Sequence, residues 1–175
     1  MSISQELASG WRRFLTAFDA SDRQTLLETL CDVYRAEVAT VARCTQHAHQ
    51  MHYPQFCVEL LRIAAEMQVP IPWLHRQILA LGGDIPASSS TPTLERNSWE
   101  CLRRDVEEAR RGCVRLLECI HLAEREEPEL AVGLQRIRKS KLRHREEFRR
   151  LYMKSDPYTL SIKRTTEVPS FRAFA

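Results

Sequence analysis

The chain has 175 residues, of which 43% are hydrophobic and 28% charged, with a formal net charge of +3. That length fits one domain with a real core and needs no disulfide or structural metal to hold it. The composition excludes a disordered or collagen-like chain, no apolar run approaches a membrane span, and so mild a charge excess does not by itself call for nucleic acid.

Only five glycines occur, while Ala, Leu, Glu and Arg dominate long stretches, which favours helix. A first amphipathic helix is predicted over residues 1–19, where Leu7, Trp11, Phe14, Leu15 and Phe18 fall at helical spacing. The stretch Asp19 to Asp22 is expected to break it and cap the next helix. That helix runs from about Ser21 to Met51 with an inward stripe of Leu27, Leu30, Tyr34, Glu37, Val41, Cys44 and Ala48. A carboxylate therefore stands in an apolar row.

Pro54 opens the next helix, which extends to about Leu81 and buries Leu60, Ile63, Ala64 and Met67, with Glu66 at the border. Pro70 and Pro72 remove two backbone donors inside it, which predicts a kink or break. Gly82 and Gly83 end it. Residues 84–97 form the one long loop, including the run Ser88 to Ser90. The next helix begins near Ser98 with the stripe Trp99, Leu102, Val106, Ala109, Cys113, Leu116, Ile120 and Ala123. A turn at Glu126, Glu127 and Pro128 leads to the last helix, whose stripe is Leu130, Leu134, Ile137, Lys141, His144, Phe148 and Leu151. The tail, residues 156–175, has no period but ends in an apolar segment with Phe171 and Phe174. It is expected to dock on its own bundle or on a protein partner.

Two short turns flanking one long crossover make an antiparallel four-helix plan of the ferritin-like type. The residues support it. Glu37 followed ten positions later by His47 and Ala48 resembles the first-helix motif of bacterioferritins. Ile63 to Met67, Ile78 to Gly83, Leu102 to Asp105 and the run ending at His144 resemble parts of their later helices. The resemblance spans about residues 25–152 and implies an all-α, ferritin-like bundle over 20–155.

In that superfamily, of the bacterioferritin and rubrerythrin type, two irons are held by one Glu from each of two helices and a Glu-x-x-His from each of the other two. The resemblance places the first Glu on Glu37 and the second on Glu66, with Val69 in place of its His. The third Glu falls on Ala109, with Glu108 next to it facing elsewhere, and the fourth falls on Lys141, with its His on His144. Glu37, Glu66 and His144 are thus the surviving ligand positions, and a cation replaces one bridging carboxylate. The expectation is a degenerate di-iron site without cofactor. In it the Lys141 ammonium stands in for metal and donates to Glu37 and Glu66, since buried charges need partners. Two alternatives remain open at this point. Lys141 snorkels to solvent with the carboxylates exposed, or Glu37, Glu66 and His144 bind a single iron or manganese.

The group Cys44, His47, His49, His52 and Cys57 matches no zinc spacing. The six scattered cysteines form no CxxC pair and read as small reduced hydrophobes. The arginine-rich last two helices interleave Glu107, Glu108, Glu118, Glu146 and Glu147, which predicts an ion-paired face. No aromatic residues are interleaved there to stack bases. The functional expectation is a cytoplasmic homo-oligomer with a non-catalytic structural or partner-binding role. An iron- or manganese-dependent oxidoreductase or iron-handling protein is the second reading, and a nucleic-acid-associated bundle the third.

Overall fold

The computed structural model describes residues 3–87 and 97–155, with side chains from Asp22 onward. The elements are α1 (Ile3–Gln50), α2 (Pro54–Gln68), α3 (Ile71–Ala80), α4 (Ser98–Glu126) and α5 (Pro128–Ser155). The described residues contain no strand. The crossover run Ser88 to Ser90, the tail with Phe171 and Phe174, and the side chains of Leu7, Trp11, Phe14, Leu15 and Phe18 lie outside the described residues.

The expected break at Asp19 to Asp22 does not occur, because α1 is continuous through it. The residues Asp19, Ala20, Ser21 and Asp22 include neither proline nor glycine, so helix there costs only a few tenths of a kcal/mol per residue. The boundary placed at residue 19 therefore falls inside a helix. The proline break does occur. Val69 and Pro70 keep right-handed helical dihedrals (φ −56 and −75). The ladder is nevertheless interrupted, because Pro70 and Pro72 have no N–H to give. The N–H groups of Trp73 and Leu74 both donate to the Pro70 carbonyl, which starts α3.

Helix ends are closed by local chemistry. The Asn97 side chain accepts from the Glu100 N–H at 2.9 Å and caps α4. After α3, Gly82 takes φ +83, its N–H donates to Leu79, and the Gly83 N–H donates to Ile78. That is the left-handed exit a glycine permits at no steric cost. Gly133 serves packing instead: a Cβ there would stand 2.2 Å from the Trp73 ring, so its absence lets α3 lie against α5.

The buried seams follow alternating steps of three and four. In α1 they are Leu26, Leu30, Val33, Glu37, Thr40, Cys44 and His47, and in α5 Leu130, Leu134, Ile137, Lys141, His144, Phe148 and Leu151. The α5 seam matches the sequence stripe throughout. In α1 the stripe holds at Leu30, Glu37, Cys44 and Ala48 and is corrected at three positions, since Leu27, Tyr34 and Val41 are only partly buried. A repeat near 3.5 residues is the signature of nearly aligned helices packing knobs into holes.

Two apolar clusters result. One joins Leu26, Leu30, Leu74, Ile78, Leu116 and Leu134 at the α3 end, and the other joins Leu60, Ile63, Met67, Leu102, Phe148 and Leu151. Between them on the α1 and α5 seams lies a polar layer containing Glu37, Lys141 and His144, each at most 4% exposed.

Candidate functional site

The polar layer is where every ligand position suggested by the sequence arrives. Glu37 comes from α1, Glu66 from the last full turn of α2, and Lys141 and His144 from adjacent turns of α5. All four line one cleft of about 210 Å³ between α5 and the α2–α3 break. They do not form one cluster.

Lys141 Nζ lies 2.6 Å from Glu37 Oε1, and the two side chains are 4% and 3% exposed. The snorkelling alternative is thereby corrected: Lys141 points inward because α4 makes room for it. A Cβ on Gly112 would meet Lys141 Nζ at 2.9 Å and its Cδ at 3.0 Å. Ala109, one turn earlier and 1% exposed, adds no bulk.

Glu66 sits at the rim and takes different partners. His144 Nε2 is 3.1 Å from its Oε2, and Arg62 and Arg143 reach its two oxygens. The carboxylate can only accept in the contact with His144 Nε2. The hydrogen bond from His144 holds the Glu66 carboxyl below the usual range; desolvation opposes it, and the hydrogen bond from Arg62 and the charges of Arg143 and Arg62 outweigh that opposition together with His144. Arg62 also donates to Glu147 at 2.9 Å, which extends this rim network along α5. The expectation that Lys141 donates to Glu66 as well is therefore corrected. Arg62, one turn from Glu66 on the same helix, is the nearer cation.

The residues do not fit a two-metal centre. Position 109 offers a methyl group, Val69 is 75% exposed, and the Glu37 carboxylate is already neutralised by an ammonium. Among the described residues, no group of three or more His, Cys, Asp or Glu side chains is gathered as a metal would require. The pair Glu66 and His144 is in contact, while Glu37 is turned to Lys141.

A second buried polar pair was not anticipated as such. His47 Nδ1 lies 2.8 Å from Asp105 Oδ2, both side chains being at most 1% exposed, and Arg43 Nε approaches Asp105 Oδ1 at 3.4 Å. Asp105 accepts from His47 Nδ1, and His47 Nε2 is buried without a hydrogen-bond partner among the described residues. Neither residue stands in the apolar stripes read from the sequence; the signal there is that both fall in segments resembling bacterioferritin motifs, Glu37 to Ala48 and Leu102 to Asp105. Of the remaining His/Cys group, Cys44 is buried and gives its S–H to the Leu60 carbonyl. Cys57 is half-buried, and His49 and His52 are exposed. Burial drives the Cys44 and Cys119 thiols up, Cys119 to about 12, which makes both inert.

Part of the arginine-rich face is ion-paired as its spacing predicts, with Arg110 and Arg111 on Glu107, Arg111 also on Glu108, and Arg149 on Glu146. No helix among the described residues is long and apolar enough to cross a membrane.

By sequence, no protein-family model and no curated protein matches the chain. Solved structures do match its shape. A ferritin-like diiron-carboxylate protein from Bacillus anthracis str. Ames aligns at a TM-score of 0.70 and 18% identity, covering 75% of this chain and 97% of that one. Dps from Thermosynechococcus elongatus aligns at 0.71 and 14% identity, covering 79% and 96%. With its antiparallel helices, long crossover and these neighbours, the chain has the ferritin-like fold.

Proposed function

We propose that this protein is a ferritin-like bundle that has given up the di-iron centre and serves a non-catalytic structural or partner-binding role, as a homo-oligomer in the cytoplasm. The observation that carries the reading is the contact between Lys141 Nζ and Glu37 Oε1 at 2.6 Å in the core. A carboxylate that bridges metals must present its charge to them, and here that charge is met by an ammonium held between α1 and Gly112. Metal and Lys141 compete for the same oxygen, and the metal would have to leave a buried cation unpaired, which costs several kcal/mol. The oligomer is an inference from the fold neighbours. The six free thiols, four of them buried, suit a reducing compartment.

Elemental analysis tests this on protein purified without chelator and then loaded anaerobically with iron or manganese. Retention below about a tenth of an equivalent is expected. Near one equivalent, lost on Glu37→Ala, would overturn the reading in favour of a single-metal protein built on Glu37, Glu66 and His144.

A further inference from the structure

The cleft above the ion pair has polar capacity left over. An ammonium carries three donors, yet among the described residues Glu37 Oε1 is the only charged partner of Lys141. Arg136 and Ser140 stand one turn apart on α5 and line the same cleft, and neither has an ion-pair or side-chain hydrogen-bond partner among the described residues. Glu37 is balanced by Lys141, and Glu66 by Arg62, Arg143 and His144. Arg136 therefore leaves the cleft with one uncompensated positive charge. The remaining wall, formed by Met67, Val69, Pro70 and Ile137, is apolar.

We propose that this cleft binds a short-chain monocarboxylate. Its carboxylate lies between the Lys141 ammonium and the Arg136 guanidinium with the Ser140 hydroxyl donating, and its alkyl chain lies on Met67, Val69, Pro70 and Ile137. Two cations on one side and an apolar wall on the other select for an anion that carries a hydrocarbon chain. A bare inorganic anion leaves the apolar wall uncovered, and an amine meets the uncompensated Arg136 charge. The volume of about 210 Å³ equals about seven water molecules at roughly 30 Å³ each, which suits a molecule of butyrate's size. The inference rests on reading the Glu37–Lys141 contact as a metal-free ion pair.

The test is a titration of the full chain, methyl-labelled at Ile, Leu, Val and Met, with sodium butyrate at constant ionic strength. Saturable shifts are expected at Met67, Val69 and Ile137 but not at Leu26 or Leu30 in the far cluster. Arg136→Ala, a rim substitution, is expected to weaken binding about fivefold, and Val69→Asp, which sets a like charge at the mouth, at least as much. Lys139→Ala, exposed and outside the cleft, should leave affinity unchanged. Shifts that do not saturate, an equal response to inorganic phosphate or to butylammonium, or an unaltered Arg136→Ala titration would each overturn the proposal. Elemental analysis of the same samples separates the two levels. Metal-free protein without saturable shifts sinks this inference alone, whereas bound metal removes the reading beneath it as well.

Discussion

Glu37 and Glu66 reach the same cleft from neighbouring helices, and their surroundings could hardly differ more. Glu37 is 2% exposed and has one charged partner among the described residues, the Lys141 ammonium. Glu66 has a side chain 34% exposed and is met by His144, Arg62 and Arg143. The first arrangement is brittle: in a low-dielectric layer each charge depends wholly on the other. The second is redundant, because water and any two of three donors can stand in for a lost third. The comparison teaches that a carboxylate's contribution is set by how many alternatives it has, rather than by how many contacts it makes.

Lys141→Met attacks the brittle half and is expected to have the largest effect, a loss of about 3–5 kcal/mol in chemical denaturation, because Glu37 is left buried and unpaired. Glu37→Leu/Lys141→Met removes both charges, and its stability is expected to return close to that of the parent. A single Lys141→Met variant as stable as the parent would erase the distinction between the halves. Gly112→Ala sharpens the same point. Helix propensity alone would favour it by about 1 kcal/mol, but the new Cβ would stand 2.9 Å from the ammonium. A net loss of about 1 kcal/mol is expected, turning into a gain in the Glu37→Leu/Lys141→Ala background, as read by thermal unfolding.

On the redundant half, Glu66→Gln is expected to cost about 1 kcal/mol or less, since exposure and salt screen its pairs. Its signature is in the pH dependence. The folded-state carboxyl is held below its ordinary value, so its contribution is complete above the unfolded pKa and fades as pH falls through the lowered folded one. Melting curves from pH 6 down to about 3 should show parent and Glu66→Gln converging only at the acid end. A constant gap would mean that ionisation of Glu66 does not matter. The smallest effect belongs to Arg62→Ala, about 0.5 kcal/mol and shrinking with added salt, which a denaturation series at two ionic strengths can read.

Much of this was legible in the sequence, and the reason differs by element. The α5 seam could be read residue by residue because leucines flank Lys141 and His144 at unbroken three-and-four spacing. The proline break follows from missing donors. Three alternate members of the α1 stripe were placed one residue too late; at the first, Leu26 and Leu27 are both apolar, and only packing chooses between them. The identity of the polar layer could be read from Glu37 and Lys141. The partners of Glu66 could not, since seam positions say nothing about which rim arginine bends over the helix edge. Gly112 gave no signal, as a glycine in a helix shows its purpose only when the lysine above it is in place. The break expected after Phe18 failed because aspartates near a serine resemble a cap whether or not the helix has ended.

The shared acceptor Asp105 has a consequence of its own. One carboxylate of α4 answers two groups of α1 spaced one turn apart, Arg43 and His47. If α1 and α4 slid past each other by a turn, the apolar knobs could find new holes at modest cost, because leucine fits leucine at several offsets. Asp105 would then keep only one of its two partners, with Ala39 or Met51 in place of the other. Both contacts are satisfied together in one register of the two helices, whereas hydrophobic matching alone tolerates several.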